Sequence, residues 1–338
     1  MDEIKFESLN GKPASFSDYV QRVAHVKSIL VMHPKFAEAL SELEEIHELS
    51  KHSVMTDQLC ILGPTGAGKT TMVEQYASKF PRILERERTV IPILNVKVPP
   101  RARSPKVLAS KILRVMQDPM FNAGTEENMT NRIQYFVKAC DIQMIILDEF
   151  QHLIDRETDH VLANASDWLK TFIEEVNIPV VLCGLPVSER IFEHNEQLDG
   201  RYPNRILLPP FAFSTNEEII EFRKFIVSID KQLPFYKLSH LSDPDIAAKI
   251  YYFSFGVPRY IMDLLKQATK YALKKGNDQI TQIELRDSFD KITRSIRPYA
   301  INPFEQKNFD LMDEIEKERK LQGNLFKTST PNRRSRKR

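Results

Sequence analysis

The fold is decided by the stretch Gly63-Pro64-Thr65-Gly66-Ala67-Gly68-Lys69-Thr70, a full match to the glycine-rich phosphate-binding pattern. The apolar run Gln58–Leu62 precedes it and predicts the first strand of a parallel sheet, and a helix is expected to begin near Gly68. Glycines let successive backbone N–H groups turn towards phosphate oxygens, and the helix directs its positive end at the same charge. A glycine-rich turn that merely caps a helix is the alternative, but it does not require Lys-Thr at its end. The stretch therefore predicts a nucleotide site between a strand and a helix.

Two side chains of this loop have individual roles in the pattern. Lys69 is expected to reach the β- and γ-phosphates of ATP, and Thr70 to place its hydroxyl on Mg²⁺. The predicted nucleotide-binding residues are Gly63, Pro64, Thr65, Gly66, Ala67, Gly68, Lys69, Thr70, Thr71 and, from a later helix, Arg259.

An acidic pair follows a second apolar strand, Met144–Leu147. Because the carboxyl ends of parallel strands meet at one edge of the sheet, Asp148 and Glu149 are expected beside the phosphate loop. We expect Asp148 to hold Mg²⁺ through its water shell and Glu149 to orient and deprotonate the attacking water. Taken alone, such a pair is more often a helix N-cap, but the phosphate loop favours the catalytic interpretation.

Arginines complete the predicted site. Arg201 and Arg205 precede the last expected strand, where the chain should reach a subunit edge, and either is a candidate to stabilise charge on the γ-phosphate of a neighbouring subunit. Either could equally form a surface salt bridge. Arg259 follows Gly256-Val257-Pro258 at the start of a helix, where it would lie over the bound phosphates or pair with an acid.

Apolar runs predict an α/β fold in which a parallel sheet is flanked by helices and followed by a small helical lid. The expected strands are Gln58–Leu62, Val90–Val98, Met144–Leu147, Pro179–Leu182 and Arg205–Leu208. The expected helices are Lys35–Leu49, Glu189–Leu198, Asn216–Ile226, Pro244–Phe253, Pro258–Leu273, Thr281–Ile292 and Glu305–Leu321. The predicted organisation is 1–50, an N-terminal segment and helix; 51–212, a nucleotide-binding subdomain; 213–295, the lid; and 296–338, a C-terminal helix with a disordered basic tail from Gln322.

The densest basic segment of the folded region extends from Asn95 to Gln117 and contains no acid. A helix from Ser104 would carry cations on one face, and these could contact DNA backbone phosphates largely independently of base sequence. The candidate DNA-binding residues are Lys97, Arg101, Arg103, Lys106, Lys111 and Arg114. A solvated helix face is the alternative. The last twelve residues carry six cations and no acid, which suits either nucleic acid or a solvated end.

Composition narrows the class of protein. Charged residues make up 28% of the chain and hydrophobic residues 42%, which is typical of a globular protein. Cys60, Cys140 and Cys183 lie in or beside apolar runs without CxxC spacing, which argues against a disulfide framework or a zinc site. No apolar run approaches the ~18 residues of a membrane span and no signal peptide is visible, so we expect a cytoplasmic protein that makes no membrane contact.

Taken together, the phosphate loop, the run Leu147–His152 and the segment Gly256–Arg259 resemble an AAA+ ATPase. The entry His33-Pro34-Lys35-Phe36, and Val98-Pro99-Pro100 followed by Lys106-Val107-Leu108, resemble the TniB/TnsC family of transposition ATPases over about Val31 to Ile292. The resemblance implies a P-loop AAA+ core with ATP and Mg²⁺ as cofactors. It also implies an ATP-dependent regulator that oligomerises on duplex DNA, as a ring or filament, and links a target-selector protein to the transposase. One departure is Cys183-Gly184, where many AAA+ proteins end a strand with a polar sensor, which puts sensing from that strand in doubt.

The sequence is also compatible with two other classes of function. One is a helicase-loader or initiator-type AAA+ ATPase, against which the lack of a visible winged-helix or helix-turn-helix pattern after the lid counts. The other is a nucleotide-switched signalling scaffold that acts without DNA. The ATPase rate with and without duplex DNA separates a scaffold from a protein that wraps DNA.

Overall fold

The computed structural model describes residues 6–100, 104–153, 159–293, 297 and 300–328. The chain divides into two compact units. The first unit is Met32–Pro209. The second is formed by Met1–Val31 together with Pro210–Arg338.

Five parallel strands form the centre of the unit Met32–Pro209, in the order β4-β5-β6-β1-β7, and two short strands form an antiparallel hairpin. The strands are β1 Leu59–Leu62, β2 Ile83–Leu84, β3 Thr89–Val90, β4 Ile93–Lys97, β5 Met144–Asp148, β6 Val180–Gly184 and β7 Asn204–Leu207. Every residue of β1, β5 and β6 is buried, as expected for the inner strands of a parallel sheet covered on both faces.

Helices alternate with these strands and continue after them. They are α1 Phe16–Ser28, α2 Pro34–Ser50, α3 Lys69–Ser78, α4 Pro105–Met116, α5 Glu126–Ala139, α6 Asp159–Val176, α7 Glu196–Arg201, α8 Asn216–Asp230, α9 Pro244–Ser254, α10 Pro258–Lys275, α11 Gln282–Thr293 and α12 Leu311–Thr328. Short 3₁₀ segments lie at Phe150–Leu153, Pro186–His194 and Pro303–Glu305.

The sheet has a helical layer on each face. Alternate strand residues, such as Val96, Leu147 and Leu182, share one buried cluster with the apolar faces of α4, α5 and α6. The helices α2 and α3 contact strands of the sheet and each other. Successive strand residues point to opposite faces, so Asp148 points to the opposite face from Leu147. This alternation sends Asp148 towards α3, the helix that begins at the phosphate loop.

The second unit is helical. Its buried cluster joins α1 to α8, α9, α10 and α11, and α1 packs against α10. Arg297 connects its C-terminal part: the guanidinium donates to Tyr252 O at 2.7 Å and to Phe253 O at 3.0 Å, and its Nε donates to Glu318 Oε1 of α12 at 2.8 Å. The Arg297–Glu318 pair is almost fully buried, so it fixes α12 against the end of α9.

The predicted fold class is confirmed: a parallel sheet flanked by helices is followed by a helical unit. The expected strand Val90–Val98 is wrong in one respect, because Thr89–Val90 belongs to the hairpin and only Ile93–Lys97 joins the sheet. Pro92 lies between them and has no N–H to donate to a ladder, which accounts for the break. The expected helix Glu189–Leu198 is also two pieces, because Asn195 is extended at φ −153° and its side chain caps α7 by accepting from Leu198 N.

The C-terminal helix differs from the prediction at both ends. It begins at Leu311 rather than Glu305, where the Asp310 carboxylate accepts from Asp313 N at 3.0 Å. It continues to Thr328, although disorder was expected from Gln322. The rest of the basic tail lies outside the described residues.

The compact units also divide the chain at other places than the predicted boundaries at 50/51 and 212/213. Residues up to Val31 group with the helical unit, whereas α2 groups with the sheet. The buried residues Val23 and Val26 of α1 belong to the helical cluster, while Leu43 and Ile46 of α2 are buried in the other unit. None of the described helices is both long and apolar enough to cross a membrane.

Candidate functional site

The phosphate loop connects β1 to α3 and has a backbone that only glycine fits in places. A Cβ at Gly63 would lie 2.6 Å from Leu208 O, closer than side chains approach a backbone oxygen. Gly66 and Gly68 have φ of 88° and 102°, the left-handed region that other residues rarely adopt. Gly63 N also donates to Gly184 O at 3.1 Å, which ties the start of the loop to the end of β6. The loop is therefore a fixed turn at the carboxyl edge of the sheet.

Lys69 is the first residue of α3 and is only 8% exposed. Its Nζ donates to Gly63 O at 2.6 Å and to Pro64 O at 3.1 Å. The ammonium thus folds back on the loop to which it belongs. A cation at that place, with the N-terminus of α3 beside it, is suited to a polyanion such as a triphosphate.

Thr70 and Asp148 meet across the sheet edge. The Thr70 hydroxyl donates to Asp148 Oδ2 at 2.8 Å, and Asp148 is 2% exposed at the end of β5. A hydroxyl and a carboxylate are ligands that Mg²⁺ accepts when phosphates and waters complete its shell. The donor set therefore fits magnesium that arrives with a nucleotide. Among the described residues, no group of three or more His, Cys, Asp or Glu side chains is placed to hold a metal ion.

Glu149 leaves the strand on a strained backbone, with φ of +57°. Its N–H donates to Asp148 Oδ1 at 2.9 Å, so Asp148 fixes the turn that follows it. The Glu149 carboxylate is 32% exposed and has two neighbours: Gln151 Nε2 donates to Oε2, and Lys97 Nζ of β4 lies 4.0 Å from Oε1. The Glu149 carboxylate is therefore partly accessible to solvent. One of its oxygens lies near the Lys97 ammonium, and the other accepts a hydrogen bond from the Gln151 amide.

Gln151 is the residue that sequence reasoning missed. It is 6% exposed, and its Oε1 accepts from Leu185 N, beyond the end of β6, at 3.2 Å. A glutamine two positions after an acidic pair gives no recognisable sequence signal, because its second partner is 34 residues away.

The end of β6 carries no polar side chain at Cys183 or Gly184. Burial raises the pKa of the Cys183 thiol well above its usual value, and Asp148 raises it further. A Cβ at Gly184 would lie 2.7 Å from Ser188 Oγ and 3.3 Å from Gln151 Oε1. The expected doubt about a polar sensor on this strand therefore stands, and Gln151 occupies the space beside Gly184.

Both candidate arginines make ion pairs within the chain. Arg201 donates to Glu174 Oε1 at 2.6 Å. Arg205 pairs with Asp199, lies 3.8 Å from Glu189 Oε1, and sits 4.2 Å from the centre of the Phe192 ring. The Arg201 side chain is 38% exposed and that of Arg205 28%. Their role towards a neighbouring subunit stays a prediction.

Arg259 lies in the first turn of α10, in the helical unit, with an exposed side chain. The preceding Gly256 has φ of +72° and its carbonyl accepts from Phe211 N at 2.9 Å. A Cβ there would collide with Phe211 O, so the turn before Arg259 requires glycine. Its contact with nucleotide stays a prediction.

The basic segment is only partly described. Arg101 and Arg103 lie outside the described residues. Lys106 and Arg114 are exposed on α4, Lys111 is half-buried, and the Arg114 guanidinium lies 5.6 Å from the Phe121 ring. Lys97 lies at the end of β4 beside Glu149 rather than on that helix. The structure thus separates the described candidates into a helix face and one lysine at the sheet edge, and DNA contact stays a prediction.

Comparison with known proteins gives one family and one fold. The sequence profile described as "TniB: Bacterial TniB protein" matches residues 22–212, more than half of the chain. No curated protein sequence matches it significantly.

Solved structures of similar fold include proteins of Aeropyrum pernix and Pyrobaculum aerophilum. The Aeropyrum pernix ORC2 protein, in ADPNP-ADP complexes, has a TM-score of 0.57 at 16% identity and covers 79% of this chain and 71% of its own. The Pyrobaculum aerophilum Cdc6p has a TM-score of 0.58 at 14% identity, with 83% and 72% covered. The Aeropyrum pernix ORC1 protein, in complex with DNA, has a TM-score of 0.56 at 16% identity, with 81% and 70% covered. At these identities the likeness concerns the fold alone.

Proposed function

The chain belongs to the TniB family and has the AAA+ fold, and from this premise we propose that it is an ATPase that regulates DNA transposition. The observation that carries the proposal is the convergence of Lys69, Thr70, Asp148 and Glu149 at one edge of a parallel sheet. These groups are the ones that triphosphate binding and hydrolysis require. The Aeropyrum pernix ORC2 protein, which has a similar fold, was crystallised with ADPNP and ADP, in keeping with nucleotide binding here.

Each residue has a defined task in this proposal. The loop amides from Gly63 onwards and Lys69 bind the phosphates. Thr70 and Asp148 would hold Mg²⁺, whose charge would offset that of the phosphate oxygens. Glu149 accepts the proton of the attacking water, for which its carboxylate is partly exposed and is not hydrogen-bonded to Thr70. Asp148 orients Glu149 through the N–H that it accepts.

We propose that neighbouring subunits complete the site. Of the two candidate arginines, Arg201 is the easier to release, because Glu174 is its only ion-pair partner among the described residues and is shared with Lys170. Arg205 would have to leave two carboxylates, the Phe192 ring and the Tyr202 carbonyl. These contacts support Arg201 as the residue that stabilises charge in the adjoining site.

Mixing inactive variants tests this arrangement. Arg201→Ala keeps its own pocket, and Lys69→Ala keeps its arginine, so mixed oligomers should regain ATP hydrolysis that neither variant has alone. The Arg205→Ala and Lys69→Ala mixture is the matched control. If only the mixture with Arg205→Ala regains hydrolysis, Arg205 is the arginine that acts on the neighbouring site. If neither mixture regains hydrolysis, the proposal of a shared site is contradicted.

DNA is the proposed track for assembly. Lys106, Lys111 and Arg114 of α4 form no ion pair within the described part of the chain, so their charges are available to phosphates. The Aeropyrum pernix ORC1 structure contains DNA on a similar fold. In the ATP state the oligomer would cover duplex DNA and present it to the transposase, while a target-selector protein decides where assembly starts.

Electron microscopy and hydrolysis assays test this function. With a non-hydrolysable ATP analogue and duplex DNA of random sequence, we expect regular oligomers, and DNA should change the ATPase rate. Oligomers should also promote strand transfer by the transposase into the DNA that they cover.

An initiator-type ATPase is the second candidate, favoured by the fold shared with ORC1 and Cdc6p. Tight preference for one DNA sequence would support it, whereas coverage indifferent to sequence would oppose it. An ATPase rate that DNA leaves unchanged would favour a scaffold without nucleic acid.

A further inference from the structure

Gln151 has both ends of its side-chain amide engaged at the edge of the candidate site. It lies in the 3₁₀ turn Phe150–Leu153 that follows the acidic pair, and only 6% of its surface is exposed. Nε2 donates to Glu149 Oε2, and Oε1 accepts from Leu185 N at 3.2 Å. A buried glutamine thus bridges the two segments that leave β5 and β6.

We propose that Gln151 is a positioning residue that holds the Glu149 carboxylate in the orientation used for ATP hydrolysis, an inference that rests on the proposed ATPase function. It does not touch the nucleotide. It acts through Glu149, and it makes the geometry of that carboxylate depend on the segment after β6.

The direction of the amide follows from hydrogen-bond chemistry. Leu185 N–H is a donor, so the group that faces it must be the amide oxygen. The NH₂ group is thereby turned towards Glu149, whose ionised carboxylate can only accept. The two hydrogen bonds therefore fix one orientation of the amide. In the flipped orientation the NH₂ group would face Leu185 N–H, and the amide oxygen would face the Glu149 carboxylate.

Glu149 needs such a holder. Its backbone lies in the left-handed region and its side chain is 32% exposed, so packing alone does not select one rotamer. Among the described residues, the charged neighbours of Glu149 are Lys97 of β4, whose Nζ lies 4.0 Å from Oε1, and Asp148 of β5, which accepts from Glu149 N. The Cys183 thiol, opposite Asp148 on β6, is neutral because burial raises its pKa. Lys97 is 66% exposed at that distance, which makes it a loose contact. Gln151 is the tighter one and adds no charge.

Two substitutions separate positioning from folding. Gln151→Met keeps the volume but removes both hydrogen bonds, and we expect turnover to fall tenfold or more, roughly the cost of a misplaced catalytic group. KM and the affinity for Mg·ATP should stay within about twofold. Gln151→Glu keeps the acceptor for Leu185 N but places a second carboxylate against Glu149. Its turnover should be low at neutral pH and recover as the pH falls and one proton is shared, so its pH optimum moves to the acid side.

Gln58, directly before β1, provides a matched control because it too accepts a backbone hydrogen bond from β6. It is 2% exposed, and its Oε1 accepts from Val180 N at 2.6 Å, at the opposite end of β6. Gln58→Met removes a comparable buried amide and should lower the melting temperature without changing turnover. A loss of turnover in Gln58→Met equal to that in Gln151→Met would show a general effect of loosening β6 and overturn the proposal.

The outcomes are distinguishable from failure of the proposed function. If the unmodified protein binds Mg·ATP but does not hydrolyse it, with or without duplex DNA, the ATPase proposal itself fails. If it hydrolyses ATP and Gln151→Met does so at the same rate, only the role of Gln151 is refuted. Should Gln151→Met not fold, the acid shift of Gln151→Glu decides, and an unchanged pH profile in that variant overturns the proposal.

Discussion

The phosphate loop with its acidic pair and the basic face of α4 belong to the same compact unit but are built differently. In the first, each functional side chain has a specific partner, as Thr70 has Asp148 and Lys69 has Gly63 O, and the side chains are largely buried. In the second, Lys106 and Arg114 are exposed and are spaced along a helix without fixed geometry. A site whose reaction requires one geometry can therefore be recognised in the sequence by a motif. A surface that attracts a polyanion by charge alone is recognisable only by its composition.

The largest effect is expected at the loop. Lys69→Ala should lower the affinity for ATP at least about a hundredfold, because it removes the cation that faces the phosphates in a buried pocket. Titration with a fluorescent ATP analogue measures this. Lys111→Ala, which removes a lysine from the other region, is the control and should bind normally. Equal affinity of Lys69→Ala and unmodified protein would remove the assignment of the loop.

Second in size is the effect of removing the base. Glu149→Gln should bind ATP within a few fold of normal and release phosphate about a hundredfold more slowly, since an amide cannot accept the proton of water. Assembled oligomers should persist as a result. Glu127→Gln, an exposed carboxylate of α5, is the control. Normal phosphate release by Glu149→Gln would show that another residue acts as the base.

Charge removal on the α4 face should have a smaller effect, and the quantity that changes should be DNA affinity rather than nucleotide affinity. Exchange of Lys106, Lys111 and Arg114 for Gln should lower DNA affinity roughly tenfold and reduce the slope of log affinity against log salt by about 2 to 3. Nucleotide affinity should not change. The same exchange at Lys317, Arg319 and Lys320, exposed on α12, is the control for net charge. A salt slope that only the control alters would exclude the α4 face.

A still smaller effect concerns the packing behind the loop. His47 of α2 is fully buried, and its Nε2 donates to Gln143 Oε1 at 3.1 Å while Nδ1 accepts from the Tyr76 hydroxyl of α3 at 2.7 Å. Burial lowers the pKa of His47, and Lys51 lowers it further. The unfolded chain therefore takes up a proton that the folded protein excludes, so stability is full above about pH 6.5 and is lost as the pH falls below it.

For this single proton the free energy of unfolding should fall by at most ~1.4 kcal/mol per pH unit. Urea unfolding at pH 7.5, 6.5 and 5.5 measures the fall. His47→Gln should make it shallower, whereas His52→Gln, at an exposed histidine, should not. A fall that both variants retain would assign it to other groups, among them His33, whose pKa burial also lowers.

The sequence was sufficient where the signal is local. The eight residues from Gly63 to Thr70 predicted the loop, and an apolar run followed by two acids predicted β5 with the acidic pair at its carboxyl end, because both patterns lie within a few residues of chain. The prediction of one strand at Val90–Val98 was wrong because the apolar pattern continues through the break at Pro92. The prediction of one helix at Glu189–Leu198 was wrong because Asn195 ends the 3₁₀ segment and caps α7. In both cases backbone hydrogen bonding outweighed the apolar pattern.

By itself, the sequence determined the fold class, the loop and the acidic pair. The physical reason is that phosphate binding requires glycines and a lysine at fixed spacing within the loop, and activation of water requires a carboxylate at the end of a strand. Only the tertiary structure decided that Lys97 and Gln151 flank Glu149 and that Arg201 and Arg205 are paired within the chain. The physical reason is that these contacts are set by strand register and turn geometry. Sheet pairing brings Lys97 opposite Asp148, and the two residues are far apart along the chain.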